Sequence, residues 1–212
     1  MKYAFLALIW LMWCFLHSAL ISTACTGYLK EHLGERFRYY RLVYNGFALV
    51  TLIPVVLYAD SIQSKALFSW EGYWGIVQIF LLCASLFLFL AGGRHYDGLG
   101  FLGLRQLRDH RSCVGLTETC GLNTKGILGV IRHPWYAGGI MVIWARDLDV
   151  SAIVTNVILT GYFIVGSFLE ERKLSGQFPG TYREYQGKVS MLFPYQWLKS
   201  KWKASAAGAP EN

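Results

Sequence analysis

One stretch carries residue types suited to chemistry. It is Ile131-Arg132-His133-Pro134-Trp135-Tyr136-Ala137-Gly138-Gly139, read together with Glu170-Glu171 further on. Pro134 suits the first position of a helix, where its missing N–H costs nothing. Arg132 and His133 then stand at that helix's N-terminus, where free N–H groups and the dipole attract an anion. Glu170 and Glu171 close a later apolar run near the same end of the molecule. Adjacent on a helix, they point about 100° apart and cannot both face one atom. Carboxylates at a helix C-terminus oppose its dipole, so a cation must compensate: Arg132, or an ammonium or sulfonium on a ligand. Cation and carboxylates across one small site suit a zwitterionic ligand.

The elements that must position these groups follow from hydropathy. The 212 residues are 54% hydrophobic and 16% charged, with a mean hydropathy of +0.35, which is not the composition of an ordinary soluble domain. Apolar runs near Tyr3–Ala24, Leu42–Ala59, Trp74–Ala91 and Ile153–Leu169 approach or reach the ~20 residues that a bilayer requires. Trp135–Ala145 is too short to cross alone and needs a partner helix. The expectation is an all-α integral membrane protein with five transmembrane helices. The fourth and fifth form a hairpin with its tip at Arg146-Asp147-Leu148-Asp149, and a short interfacial helix, Tyr182–Lys188, follows. Residues 1–203 are expected to form one domain, and 204–212 a disordered tail.

The net charge of +7 is not gathered on one face, which argues against nucleic acid as a partner and for a bilayer surface. Basic residues crowd two connections, from Lys30 to Arg41 and from Arg94 to Arg132, whereas the other two connections carry only Lys65 and Arg146. The positive-inside rule puts the basic connections and the C-terminus in the cytoplasm. Lys199, Lys201 and Lys203 would each add about 1 kcal/mol of attraction to anionic lipid. The first run could open a cleaved signal, since Ser22-Thr23-Ala24-Cys25 loosely resembles a lipoprotein box. Ser22 stands where such boxes favour a large aliphatic residue, so the run is read as retained. The five cysteines form no CxxC pair, and His110, Cys113 and Cys120 give only three irregularly spaced ligands, so no metal is expected. The long glycine-rich connection before Ile131 is expected to fold over the site.

The string LNTKGILGVIRHPWYAG, from Leu122 to Gly138, resembles the pattern in which Leu and a small-residue-Gly pair precede Arg-His-Pro-x-Tyr-x-Gly. Glu170-Glu171-x-x-Leu174, Phe178, Tyr182-x-x-Tyr185, Val189 and Pro194 continue it in order. The family so resembled is the integral-membrane S-adenosylmethionine-dependent methyltransferases: isoprenylcysteine carboxyl methyltransferase, phospholipid methyltransferases and their small bacterial relatives. The N-terminal part, with His17-Ser18 and Tyr39-Tyr40-Arg41-Leu42-x-Tyr44-Asn45, resembles more loosely the bacterial branch that includes methanethiol S-methyltransferase. The resemblance implies S-adenosylmethionine as methyl donor, a small or lipophilic thiol as acceptor, and a bacterial inner membrane with the site facing the cytoplasm. A prenylcysteine carboxylate or a phospholipid amine is the alternative acceptor. No protein partner is implied.

On that reading Arg132 and Glu170 are catalytic, and His133, Tyr136, Gly138, Glu171, Tyr182 and Tyr185 bind the cofactor. His17, Tyr44 and Asn45 line the acceptor's route, because polar side chains within hydrocarbon need a partner or a function. Each has a plainer reading. Arg132 and His133 could anchor a helix end. The glycines could serve helix packing, and His17 interhelical hydrogen bonding. Tyr182 and Tyr185 could be interfacial anchors. A non-enzymatic haem-binding or carrier protein using His17, His95 and His133 is the competing class.

Overall fold

The computed structural model describes residues 1–62, 64–109 and 121–207. His110, Cys113 and Cys120, the middle of the glycine-rich connection and the last residues of the expected tail lie outside the described residues. Among the described residues ten α-helices follow in order: α1 (Lys2–Ile21), α2 (Thr23–Leu33), α3 (Tyr40–Ser61), α4 (Trp74–Gly93), α5 (Gly98–Leu102), α6 (Leu104–Asp109), α7 (Pro134–Trp144), α8 (Val150–Gln177), α9 (Thr181–Lys188) and α10 (Tyr195–Ala207). The described residues hold no strand, only two isolated bridges. Among the described residues, four stretches are long and apolar enough to cross a membrane: α1, the run Thr23–Ser61 that contains α3, α4 and α8. At 11 residues α7 falls short of that length, as its sequence anticipates.

The first apolar run is broken where composition shows no break. Ser22 leaves the helix in an extended conformation, and its Oγ accepts from the Cys25 amide at 3.2 Å, so it caps α2. The long helices pack inside out. On α4, Ile76 and Phe80 are exposed while Ser85 and Gly92 are buried, as expected when lipid replaces water outside and close approach decides the inside. Ser85 Oγ donates to the Gly138 carbonyl of α7 at 2.9 Å. A Cβ on Gly92 would lie 2.7 Å from Trp135 Cδ1, so only glycine lets α4 and α7 approach there. Leu6, Trp10, Val55, Ala59 and Ile62 form the apolar core between α1 and α3.

The hairpin of α7 and α8 is pinned at its tip. Leu67 and Phe68 pair with Leu148 through backbone bonds of 2.8–3.1 Å, and the Trp70 amide donates to Asp147 at 2.9 Å. Asp149 caps α8 through the Ala152 amide at 2.6 Å and accepts from Ser64 Oγ at 2.6 Å. Burial pushes its carboxyl up, but these hydrogen bonds outweigh burial and hold it below the usual carboxylate value. Ser151 donates to the Ala59 carbonyl at 3.0 Å, Asn156 to Ile143 at 2.8 Å, and Trp144 Nε1 to Thr160 at 2.9 Å. The opposite end gathers the start of α3, the ends of α1 and α8, and the N-terminus of α7. Tyr40 Oη there donates to the Leu20 carbonyl at 2.6 Å, and Lys173 to Ile21 at 3.4 Å. The sequence motifs meet at this end.

Candidate functional site

Pro134 opens α7, and His133 before it caps nothing with its side chain, so the ring is free to turn toward α8. The strand-like segment after α9 fixes the approach. The Arg132 and His133 amides donate to the carbonyls of Ser190 and Met191 at 2.9 and 3.0 Å. Arg132 Nε then donates to Glu171 Oε1 at 2.7 Å, and its Nη1 donates to the carbonyls of Gln186 and Val189. Gln186 Nε2 donates to Glu171 Oε2 at 2.7 Å. His133 Nε2 stands 3.1 Å from Glu171 Oε1. A carboxylate only accepts, so Nε2 carries the proton in this bond. Glu171 is thus buried and occupied on both oxygens, its dipole conflict at the helix end answered by Arg132.

Glu170 points elsewhere, as adjacent helical residues must. Its side chain is 26% exposed against 7% for Glu171, and its Oε2 lies 3.7 Å from His133 Nδ1, beyond hydrogen-bonding distance. Tyr96 and Tyr136 stand near it. Burial, and then the Glu170 charge, raise the Tyr96 phenol well above its usual value, so it remains a donor. The His133 and Tyr136 rings stack at 5.4 Å. Glu171 is therefore engaged on both oxygens within the chain, while the more exposed Glu170 borders an aromatic wall.

The remaining expected contacts divide. Tyr182 and Tyr185 are not at a surface: they are buried against Leu122, Leu174 and Phe178. Tyr185 Oη donates to the Leu128 carbonyl at 2.5 Å, bracing the 3₁₀ turn Gly126–Gly129. Burial pushes both phenols up. Gly138 faces α4, where a Cβ would meet the Ser85 carbonyl oxygen at 3.3 Å, and Gly139 faces Phe163 of α8 at 3.1 Å. Asn45 donates to the Phe101 carbonyl at 2.9 Å, away from its neighbour Tyr44.

His17 and Tyr44 do come together, with a residue the sequence reading missed. Tyr44 Oη is 2.8 Å from His17 Nε2, and Tyr162 Oη of α8 is 2.6 Å from His17 Nδ1. An axial role for His17 would require breaking one of these bonds. His95 Nδ1 likewise accepts from Asn123 at 3.1 Å. Rings connect the two polar clusters: His17 to Tyr162 at 5.9 Å, Tyr162 to Phe163 at 6.1 Å, Phe163 to Tyr136 at 5.9 Å, and Tyr136 to His133. Tyr162, Gly166 and Glu170 recur every four residues and share one face of α8. A Cβ on Gly166 would sit 3.9 Å from Tyr136 Oη, so the phenol overlies that glycine. This spacing was the available signal for Tyr162. Gln186 and Tyr96 gave none.

A family model described as NnrU protein matches residues 5–188. Among curated proteins, the chain is similar to methanethiol S-methyltransferase 1 of Bradyrhizobium diazoefficiens, with 35% identity over 96 residues, which is 44% of this chain and 33% of that protein. It is similar to methanethiol S-methyltransferase of Pseudomonas deceptionensis, with 39% identity over 66 residues, 31% of this chain and 25% of that protein. It is also similar to the enzyme of that name from Pseudomonas sp. (strain GM41(2012)), with 28% identity over 126 residues, 59% of this chain and 43% of that protein. The chain thus spans less than half the length of the curated relatives it matches. No solved structure matches it.

Proposed function

The chain belongs to the NnrU protein family, and we propose that it is an integral-membrane methyltransferase acting on a small or lipophilic thiol. On this reading residues 1–203 form one domain in a bacterial inner membrane, with α7 as a fifth, half-length membrane element beside the four long ones. The site end carries most of the basic residues and faces the cytoplasm by the positive-inside rule. The names of the curated relatives support a thiol acceptor.

The observation that carries the proposal is the division of labour between the two glutamates. Glu171 holds Arg132 and His133, while Glu170 remains half-buried and short of any hydrogen bond to His133. A partly exposed carboxylate beside stacked rings fits the cationic parts of S-adenosylmethionine, because a carboxylate takes an ammonium and an aromatic face attracts a cation. When bound, S-adenosylmethionine supplies an electrophilic methyl group on a sulfonium. Glu170, His133, Tyr136 and Tyr96 would hold it, and Arg132 and Glu171 would fix their positions. Tyr182 and Tyr185 would brace the wall behind, and His17 and Tyr44 would lie on the acceptor's side. A dry pocket favours meeting of an anionic sulfur and a cation over their separate hydration. A free thiol has a pKa of about 8.5, so modest help gives the reactive thiolate. Alignment of the two reactants is the protein's main task.

The test is binding of S-adenosylmethionine to the chain in detergent, followed by an acceptor screen across thiols, prenylcysteines and phospholipids. Binding with methylation of a thiol is expected. Absence of binding refutes the proposal, and a Soret band in the purified chain favours the haem reading instead.

A further inference from the structure

One arrangement of protons satisfies every hydrogen bond around His17, with Nε2 carrying the ring proton. Tyr44 Oη donates to the His17 carbonyl at 3.2 Å. Its oxygen is then left to accept from His17 Nε2–H at 2.8 Å. In that arrangement Nδ1 is bare, and it accepts from Tyr162 Oη at 2.6 Å. Ser18 Oγ, 3.4 Å from Tyr162 Oη, completes a chain in which every donor points one way. The titratable and charged groups around it are Arg41 and Tyr44 of α3, Tyr162 of α8, and Cys14 on its own helix. The Arg41 guanidinium lies 5.8 Å from the Tyr44 ring centre. A narrow cleft between α1 and α3, walled by Trp13, Leu16, Phe47 and Thr51, meets this chain of bonds at its His17–Tyr44 end. Along α8, Tyr162 is eight residues from Glu170, about 12 Å at a rise of 1.5 Å per residue, with the Tyr136 phenol between them.

We propose that Tyr162 and His17 form the proton-accepting pair for the acceptor thiol. Tyr162 touches the thiol, and His17 acts through it as a positioning and relay residue. The thiol S–H bond breaks and its proton goes to the Tyr162 oxygen as the Tyr162 proton goes to His17 Nδ1, leaving an imidazolium. The sulfur pair so freed forms the new S–CH₃ bond, and the pair of the broken bond stays on the donor's sulfur. The charge lost from the sulfonium reappears on His17, where the Tyr44 oxygen accepts from Nε2–H. The proposal rests on the reading of this site as a thiol methyltransferase.

The experiment compares an alkanethiol with an aromatic thiol that is ionised at neutral pH, using the full chain in detergent with S-adenosylmethionine. Tyr162→Phe keeps the ring that meets Trp13, His17 and Phe163 and removes only the hydroxyl. It should slow alkanethiol methylation by about 10²-fold or more, the range of general base catalysis, and leave the aromatic thiol nearly unaffected. His17→Gln should repeat the pattern. In donor-free protein labelled with ¹⁵N-histidine, His17 should appear as the Nε2–H tautomer, with its Nδ1 signal displaced by Tyr162→Phe. Equal losses for both thiols, no loss for either, or an unmoved Nδ1 signal overturns the pair while leaving thiol methylation standing. A wild-type chain that methylates neither thiol overturns both.

Discussion

Glu171→Ala tests whether the buried carboxylate is a frame or a ligand contact. The substitution removes the acceptor for Arg132 Nε at 2.7 Å, His133 Nε2 at 3.1 Å and Gln186 Nε2 at 2.7 Å. Three charge-assisted bonds at about 1.5–3 kcal/mol each would sum to roughly 4.5–9 kcal/mol. That sum overstates the loss, because Arg132 keeps the carbonyls of Gln186 and Val189. Breaking a buried pair by removing one partner costs about 3–5 kcal/mol, which is the better estimate for a side chain only 7% exposed. At about 2–4 °C per kcal/mol for a chain of this size, the melting temperature should fall on the order of 10 °C. The assay is thermal unfolding by circular dichroism in detergent, run with Arg132→Ala and the double variant. Partners in direct contact should show coupling rather than additive losses. An unchanged melting temperature accompanied by lost S-adenosylmethionine binding would refute the frame and give Glu171 to the ligand.

Glu170→Gln should do the reverse, weakening S-adenosylmethionine about tenfold in calorimetric titration with little change in melting temperature, since no hydrogen bond to His133 is lost. Gly92→Ala should lower stability by about 1–3 kcal/mol through its clash with Trp135, whereas Gly93→Ala, whose Cβ meets nothing nearer than 3.9 Å, should be tolerated on that score; thermal unfolding compares them. Asp149→Ala should cost about 0.5–2 kcal/mol as a lost cap. Because the folded Asp149 carboxyl is held below its unfolded value, its contribution is complete above about pH 4 and disappears as pH falls through the folded value. Melting curves of wild type and Asp149→Ala across acid pH should therefore converge only at the low end.

The hairpin was legible because its cues are local: Pro134 before an apolar run, three charged residues around Leu148, and a second run ending in carboxylates. The break at Ser22 was not, because a serine inside an apolar stretch reads as helix until its side chain is seen capping the next one. Tyr162 was passed over because one tyrosine in a membrane run looks like an interfacial aromatic. Its relation to Gly166 and Glu170 appears only when α8 is read every fourth residue. The pinning of the tip by Phe68 and Trp70 lay beyond reach, since long-range backbone pairing leaves no periodic trace.

The roles of Glu170 and Glu171 were undecidable in sequence for a deeper reason. Two adjacent helical residues exchange faces if the helix rotates by about 100°, so their assignment depends on the rotation of α8 as a whole. Bonds that hold that rotation also lie far from them. Asp149 caps the first turn, Ser151 binds Ala59, Asn156 binds Ile143, and Thr160 receives Trp144, all at the tip end of the helix. These bonds lie several turns from the carboxylates, yet on this reading they help decide which glutamate meets Arg132. Asn156→Leu, which removes one of them without touching the site, should therefore disturb the Arg132–Glu171 pair as well as the tip. If a double-mutant cycle for that pair gives the same coupling in the Asn156→Leu background as in wild type, the rotation is set locally by Arg132 and His133, and the distant bonds serve only the tip.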